Sequence, residues 1–319
     1  MTRIGFHASH EQRAPSLLLG DVVRAEQVGF DELMCSDHMA PWLTAQGESG
    51  FAWSWLGAAL AATTVPFGVV TAPGQRYHPT VLAQAAATLE EMFPGRFWAA
   101  LGSGEALNEH VTGAPWPSKQ DRDARLLVCA AVMRRLLSGE RVSVDGPVRV
   151  HDARLWSLPA TPPPLRAAAI SPHTATIVAP WADGLITVGA DPAATRETTQ
   201  AFRDAGGRGP LLLQIHLSLE ESEESALTAA RDQWAQATVP PELMWDLEQP
   251  EDYEEFARPT AERLRESVVI GSDAVDVAER IAAVASGFDA VFLHQVGPDQ
   301  SAFLDRCEAE LLPELRRML

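Results

Sequence analysis

One segment of the 319-residue chain, SDHMAPW, contains three side chains that can act together in proton transfer. It places Asp37 and His38 directly after a short apolar run, and the indole of Trp42 follows four residues later. Histidine suits general acid–base catalysis because its ordinary pKa lies near neutral pH. A structural interpretation stays open, in which Asp37 caps the next segment, His38 is a satisfied surface histidine and Trp42 fills a loop.

A second segment, GSGEALNE, combines a close backbone approach with a carboxylate. Gly104 follows Ser103, and glycine permits backbone to come near a ligand. Glu105 follows directly and is placed to reach a bound molecule. The alternative is a tight strand-to-helix turn in which Glu105 only stabilises the start of the helix.

Polar residues also follow other apolar runs. Glu11 follows the first run, and Ser171 opens a helix after the fifth, where free amides would suit a phosphate. His216 and His294 end the seventh and eighth runs. Each has a plainer interpretation: a solvated carboxylate, an ordinary serine cap, or a histidine hydrogen-bonded within the rim.

These residues need a scaffold that brings several strand ends together. Continuous apolar runs separated by amphipathic stretches are typical of a parallel sheet covered on both faces. The runs cover residues 3–8, 30–35, 67–71, 97–101, 165–170, 184–188, 211–217 and 290–294. Eight such units predict an α/β protein with the (β/α)8 TIM-barrel fold, in which residues after the strands face one mouth.

Three segments exceed a minimal barrel, so we expect a single domain over 1–319 with insertions at about 40–52, 140–158 and 240–267. The second insertion predicts a hairpin that turns at Asp145-Gly146. The third is acidic, aromatic and predicted to be helical. Loops after barrel strands surround the mouth, so the insertions are candidates for shaping a substrate site. They could equally buttress the scaffold or an oligomer interface.

Composition excludes several classes of function. A net charge of −18 argues against nucleic-acid binding. We find no apolar stretch of roughly 18 residues and no secretory signal, so we expect a cytoplasmic protein with no membrane contact. The three cysteines should be reduced and buried. Lys119, the only lysine, lies at a predicted exposed helix start, which argues against Schiff-base catalysis. Because His7 and His10 lack the HxH spacing, we expect no metal site.

Three strings together resemble the luciferase-like oxidoreductases that use a flavin or the deazaflavin coenzyme F420. They are SDHMAPW, APGQRYHPTVLAQAAATLEEMFPGRF and LGSGEALNEHVTG. The similarity lies near the subgroup of F420-dependent glucose-6-phosphate dehydrogenases and that of probable non-F420 flavin oxidoreductases. It extends to the closing GPDQSAFLD and so covers essentially the whole chain.

The resemblance implies a cofactor ring at the carboxyl-terminal mouth of the barrel. It assigns His38 and Trp42 to the two sides of the reacting carbon, Glu105 to acid–base catalysis and Glu11 to a further acidic position. It also implies a non-prolyl cis peptide at Val69-Val70. The implied cofactor contacts are Asp37, Val69, Val70, Thr71, Ser103, Gly104, Ala169, Ile170, Ser171 and Thr187.

The substrate side of the mouth is less defined by the resemblance. We expect it to be lined by Trp53, Trp55, His216, Trp245 and His294. The basic residues that bind a sugar phosphate in the resembled dehydrogenases have their counterparts near Ala190, Glu266 and Ser301. Without a basic cluster, a phosphorylated sugar should bind poorly.

The cofactor loop differs as well, because Ile170-Ser171 stands where the resembled family has two glycines. We therefore expect hydride transfer between F420 and a small or peptide-borne substrate without phosphate. FMN with reductase or monooxygenase chemistry is the alternative, and a non-catalytic flavin-binding barrel is a third. The resemblance also implies a homodimer.

Overall fold

A computed structural model describes all residues of the chain, 1–319. Its strands, numbered in chain order, are β1 (Arg3–Ala8), β2 (Glu32–Cys35), β3 (Phe67–Thr71), β4 (Phe97–Leu101), β5 (Val142–Val144), β6 (Val150–Ala153), β7 (Leu165–Ala168), β8 (Leu185–Val188), β9 (Leu211–Leu219), β10 (Val268–Gly271) and β11 (Ala290–Gln295). Eight of them pair in parallel in the order β1-β2-β3-β4-β7-β8-β9-β11, and β11 pairs again with β1. The predicted (β/α)8 barrel is confirmed.

Helices cover the outside of the barrel. They are α1 (Pro15–Val28), α2 (Ala52–Ala62), α3 (Pro79–Met92), α4 (Ala106–Glu109), α5 (Lys119–Leu137), α6 (Pro172–Val178), α7 (Pro192–Asp204), α8 (Glu223–Trp234), α9 (Pro250–Phe256), α10 (Ala261–Ser267), α11 (Ala274–Ala285), α12 (Gln300–Arg306) and α13 (Leu312–Met318). Proline at the first turn starts α1 and α3, where its missing N–H costs nothing. A single π-type turn joins α12 to α13, so the helix at the end of the chain is continuous.

The barrel interior is filled by large side chains that face glycine on a neighbouring strand. A Cβ at Gly68 would lie 2.1 Å from the Trp98 ring, and one at Gly5 would lie 2.4 Å from the Phe292 ring. Trp98 and Phe292 also contact each other edge to face, with ring centroids 5.8 Å apart. The interior is therefore a packed core, and ligands must bind at an end of the barrel.

One strand was not predicted. β10 pairs with the second half of β9, from His216 to Leu219, whereas β8 pairs with the first half and stops at Gln214. β10 thus continues the edge of β9 where β8 ends. It follows α10 without a loop, and this direct join concealed a short apolar run in the sequence.

The three insertions have different positions. The hairpin at 140–158 is confirmed as β5 paired antiparallel with β6. It packs against α5, and the carbonyl oxygen of Arg149 contacts His78 Nε2 at 3.0 Å. It lines neither lobe of the cleft described below, so it covers helices and does not shape a substrate site. The segments 40–52 and 240–267 do reach the cleft, and the latter contains α9 and α10 as predicted.

The expected cis peptide at Val69-Val70 is wrong, because every peptide bond in the chain is trans. β3 keeps a regular parallel register through both residues, with Val69 opposite Ala99 and Val70 opposite Ala100.

No helix in the structure has both the length and the apolar character needed to cross a membrane. The three cysteines are free and buried, as expected.

Candidate active site at the barrel mouth

Loops after β1, β2 and β4 bring three titratable side chains together. His38 Nε2 lies 3.3 Å from Glu11 Oε1 and 3.2 Å from Glu105 Oε1. All three side chains are buried or nearly so, with His38 exposing 12% of its side chain. These residues are more than 90 positions apart at the extremes, and parallel strands alone bring their loops to one face.

Glu11 is held in its ionised form. Its Oε2 accepts hydrogen bonds from Ser9 Oγ at 2.6 Å and Ser36 Oγ at 2.7 Å. Burial alone would raise the pKa of this carboxyl, but His38, the two hydroxyls and His7 outweigh it and lower the pKa to about 2. Glu11 is thus a fixed negative charge beside His38 at neutral pH.

Glu105 has the opposite tendency. Burial raises the pKa of its carboxyl, and the neighbouring His38 offsets only part of that effect. Its Oε1 accepts a hydrogen bond from Asn108 Nδ2 at 2.6 Å, which fixes the carboxyl towards His38. Two carboxylates whose pKa values are shifted in opposite directions around one imidazole are typical of an acid–base site.

Trp42 forms a wall beside this group. Its ring centroid lies 5.0 Å from that of His38 and 5.3 Å from that of Tyr253. Its backbone N–H donates to Gln46 Oε1 at 2.8 Å, which anchors the loop. The indole remains partly exposed and lines the cleft, while it also packs against the buried clusters next to the cleft.

Asp37 anchors the His38 loop. Its Oδ2 accepts hydrogen bonds from Thr71 Oγ1 at 2.7 Å and Trp53 Nε1 at 3.1 Å, and its Oδ1 accepts one from Tyr77 at 2.9 Å. Arg76 completes the set with an ion pair at 3.2 Å. The expectation that Trp53 lines the substrate pocket is therefore wrong. The Trp53 indole is instead buried, and its N–H donates to the Asp37 carboxylate.

The same correction applies to Trp55, whose indole N–H donates to the Pro15 carbonyl at 2.9 Å while the ring packs on Phe67. Both tryptophans lie on α2, which packs against α1, and neither of them lines the cleft. The sequence could not separate them from Trp245, which does line the cleft.

The mouth holds a cleft with two adjoining lobes, one of about 500 Å³ and the other of about 320 Å³. His38 lines both lobes and so lies at their junction. The residues that the two lobes share are Asp37, His38, Val70, Ile170, Thr187, Val188, Gln214 and Trp245. A molecule in each lobe would meet its neighbour beside the His38 imidazole.

The smaller lobe is lined by most of the predicted cofactor contacts: Asp37, Val70, Thr71, Ser103, Gly104, Ala169, Ile170, Ser171 and Thr187. Val69 is the exception, because alternation along β3 turns it into the outer core while Val70 faces the cleft. Glu105 also lines this lobe. Ile170 is half-exposed where the two lobes meet. Its side chain occupies space that would stay open if this position were a glycine, as it is in the resembled family.

Cationic residues that the sequence did not indicate reach the same lobe. Lys119 lies at the start of α5, where it pairs with Asp123 and places Nζ 3.4 Å from Ser103 Oγ. Arg122 and Thr174 also line the lobe. The start of α5 is solvent-exposed, as expected, yet it lies close enough to the loop after β4 for Lys119 to reach Ser103. Because apolar residues as well as hydroxyls and cations line it, the lobe fits a flat ring with an anionic tail.

The larger lobe has a different charge. No lysine or arginine lines it, whereas Glu11, Asp191 and Glu266 do. The predicted contacts His216, Trp245 and His294 all line it, as does Trp234, which the sequence did not single out.

Three histidines form the floor of the larger lobe. The ring centroid of His294 lies 4.4 Å from that of His7 and 5.1 Å from that of His216. Burial lowers the pKa of His7 to about 4 and that of His216 to about 3, and it lowers the pKa of His294 as well. The three rings are therefore neutral. No group of side chains in the structure has the arrangement of a metal site.

Comparisons with known proteins agree with this architecture. The sequence model of the luciferase-like monooxygenase family matches residues 1–290. F420-dependent glucose-6-phosphate dehydrogenase from Beutenbergia cavernae is 37% identical, over 99% of this chain and 98% of its own length. The corresponding protein from Intrasporangium calvum is 36% identical, over 99% of both chains.

Among solved structures, an F420-dependent secondary alcohol dehydrogenase bound to an F420–acetone adduct superposes with a TM-score of 0.90. It is 30% identical and the match covers 99% of both chains. The F420-dependent tetrahydromethanopterin reductase from Methanopyrus kandleri has the same fold at a TM-score of 0.78 and 19% identity, covering 98% of this chain and 99% of its own. From its fold and the extent of the family match, the chain belongs to the luciferase-like monooxygenase family.

Proposed function

We propose that the protein is an oxidoreductase that moves a hydride between coenzyme F420 and a small organic substrate without phosphate. An alcohol, a carbonyl compound or an activated alkene would suit the site. The observation that carries the proposal is the position of His38, whose imidazole lies between two carboxyls and at the junction of both lobes.

The smaller lobe would hold F420. Val70, Ala169 and Ile170 would contact the ring, and Ser103 and Lys119 would face the anionic tail. When bound, the deazaflavin ring supplies the carbon that accepts or returns a hydride. The proposal is supported by relatives and by a solved structure at 30% identity whose names state dependence on F420.

The proton is handled by the chain itself. In alcohol oxidation the substrate loses a hydride from carbon and a proton from its hydroxyl group. The imidazole of His38, which lines both lobes, would take that proton. Since Glu11 stays ionised with a pKa of about 2, the proton moves on to Glu105, whose pKa is raised. In carbonyl reduction the same groups would deliver the proton in the reverse order.

The charge of the larger lobe supports a substrate without phosphate. A phosphate group binds where arginine or lysine offers charged hydrogen bonds. Here Ala190 and Glu266 line the lobe at the corresponding places, and Asp191 adds a second carboxylate at the rim. Ser301 is exposed on α12 and does not line the cleft. A sugar phosphate in this lobe would be repelled, unlike in the dehydrogenases that the chain resembles.

The test follows F420 absorbance after mixing the protein with F420 and either propan-2-ol or glucose 6-phosphate at the same concentration. We expect the alcohol to reduce F420 and the sugar phosphate to leave it oxidised. Reduction by glucose 6-phosphate with no reaction of secondary alcohols would overturn the substrate assignment. Glu266→Lys is a useful companion, because it should improve inhibition by inorganic phosphate without creating a new catalytic group.

A further inference from the structure

Two carboxylates at the rim of the larger lobe have no basic partner in the chain. Asp191 and Glu266 line this lobe and not the smaller one, so they lie away from the junction beside His38. Asp191 Oδ1 accepts a hydrogen bond from the Ala193 N–H at the start of α7, whereas the Glu266 carboxylate accepts none. Neither side chain forms an ion pair, so both charges are available to a bound molecule.

The segments that carry these carboxylates meet at one edge of β9. β8 pairs with β9 as far as Gln214, and the loop that follows β8 holds Asp191. β10 pairs with the same edge from His216 onwards, and Glu266 lies two residues before β10. The step from β8 to β10 therefore brings the two carboxylates to the same side of the lobe.

A buried histidine in the same lobe lacks the polar partner that a ligand would supply. His7 is 4% exposed and alternates with Gly5 on β1, so its side chain points into the barrel and lines the lobe. Neither ring nitrogen has a hydrogen-bond partner in the chain. Nδ1 is enclosed, whereas Nε2 keeps accessible surface. A buried polar ring left unpaired at the floor of a cavity indicates that a polar molecule binds there.

The charge and the walls of the lobe define the chemistry of that molecule. An anion would find no arginine or lysine to pair with. Glu11 adds a third negative charge, because its pKa is lowered to about 2. The rings of Trp42, Trp234 and Trp245 line the same lobe, and aromatic faces attract cations. A cationic group therefore gains from the rim carboxylates and from the aromatic walls, whereas a neutral group gains nothing from the charge.

We infer that the substrate carries a protonated amine, which binds at Asp191 and Glu266 while its alcohol or carbonyl carbon lies beside His38. An ammonium group is a compact cation with three donors, so two carboxylates can share it. The amine serves recognition only and does not react. The inference rests on the proposed function in assigning the larger lobe to the substrate.

The test compares three molecules of nearly equal shape: 4-aminobutan-2-ol, pentan-2-ol and 3-hydroxybutanoate. Binding to the cofactor-free protein is measured by saturation-transfer NMR, so catalysis is not needed. At low salt we expect the amine to bind about fivefold more tightly than pentan-2-ol, and the carboxylate to bind more weakly than both. At about 1 M salt the preference for the amine should largely disappear. Equal binding of the amine and pentan-2-ol at low salt would overturn the inference.

Matched pairs of variants test the two carboxylates. The double variant Asp191→Asn/Glu266→Gln should reduce the preference for the amine to about twofold or less, and asparagine keeps the cap of α7. The control Glu197→Gln/Glu262→Gln removes the same charge from exposed positions of α7 and α10 that do not line the cleft. It should leave the preference intact. Full preference in the first double variant, or equal losses in both, would exclude the rim carboxylates as the selecting groups.

The two proposals fail in different ways. A protein that binds 4-aminobutan-2-ol selectively but never binds F420 would refute the proposed function while keeping the amine site. A protein that binds F420 and oxidises alcohols, but does not discriminate 4-aminobutan-2-ol from pentan-2-ol, would refute only the amine site.

Discussion

Glu105 Oε1 lies 3.2 Å from His38 Nε2, and the carboxyl that makes this contact has a pKa raised by burial. On the same nitrogen, at 3.3 Å, Glu11 stays ionised. A proton on His38 can therefore pass to Glu105, whose carboxyl has the raised pKa. Glu11 remains ionised and stabilises the imidazole through its negative charge. This asymmetry is the basis of the catalytic account.

Glu105→Gln should remove the proton acceptor and keep the shape of the site. Since the carboxamide oxygen can still accept the hydrogen bond from Asn108, the free energy of unfolding should change by no more than about 1 kcal/mol. Turnover should fall by about 10²- to 10⁴-fold. Steady-state kinetics and urea unfolding measure the two effects, and wild-type turnover in this variant would remove Glu105 from the mechanism.

Trp42→Ala should weaken binding of the reacting partner more than it weakens the fold. The indole is only partly buried and forms a wall of the cleft beside His38. We expect KM to rise about tenfold and the free energy of unfolding to fall by about 1–2 kcal/mol. If the variant instead unfolds with an unchanged KM in the remaining folded fraction, the indole supports the fold and not the substrate.

Asp37→Ala should be strongly destabilising. The carboxylate accepts three side-chain hydrogen bonds and pairs with Arg76, whose side chain is 9% exposed. Removing it leaves the buried Arg76 with only the more distant Glu109, at 3.9 Å, as a counter-charge and leaves three buried donors unpaired, which costs about 3–5 kcal/mol. Asp145→Ala, at an exposed ion pair on the hairpin, should cost about 0.5 kcal/mol or less.

Urea unfolding of both variants provides the measurement. Comparable losses of stability would show that the buried network around Asp37 does not hold the His38 loop.

Stability should decline as the solution becomes more acidic, because the histidine floor is neutral in the folded state. The pKa of His7 is lowered to about 4 and that of His216 to about 3. Below pH 6.5, the ordinary histidine pKa, these histidines bind protons in the unfolded chain but stay unprotonated in the folded one. Each histidine then removes up to about 1.4 kcal/mol per pH unit until its own folded pKa is reached.

Two carboxyls modify this slope. Glu105, with its raised pKa, opposes it, because the folded state takes up that proton first. Glu11 adds to the loss between its ordinary pKa of 4.5 and its folded value of about 2. Unfolding by urea from pH 7 to pH 4 should show the decline, and His216→Asn should make it shallower. Parallel curves for the variant and the wild type would contradict the assignment of a neutral His216.

The barrel and the grouping of Glu11, His38 and Glu105 could be predicted because both depend on local patterns. Apolar runs of the right length mark parallel strands, and polar residues just after them must share one mouth. That reasoning places Glu11, His38 and Glu105 at the same mouth, and the structure brings each of the two carboxyls within 3.3 Å of His38 Nε2.

The remaining features depend on contacts between distant segments. Trp53 and Trp245 are equally apolar in the sequence, but α2 turns Trp53 towards Asp37 while the 240–267 insertion turns Trp245 into the cleft. Lys119 reaches the smaller lobe only because the start of α5 lies next to the loop after β4. The pairing of β10 with β9 likewise needs the folded edge, which no local pattern encodes.

The most direct test of the account titrates the protein with F420 and FMN in parallel and follows the fluorescence of each ring. We predict saturable binding of F420 and about tenfold weaker binding of FMN, or weaker still. Lys119→Ala should weaken F420 binding, because it removes a cation beside Ser103 in the smaller lobe. Tight binding of FMN with no binding of F420 would contradict the account and make oxygen-dependent flavin chemistry the function to examine.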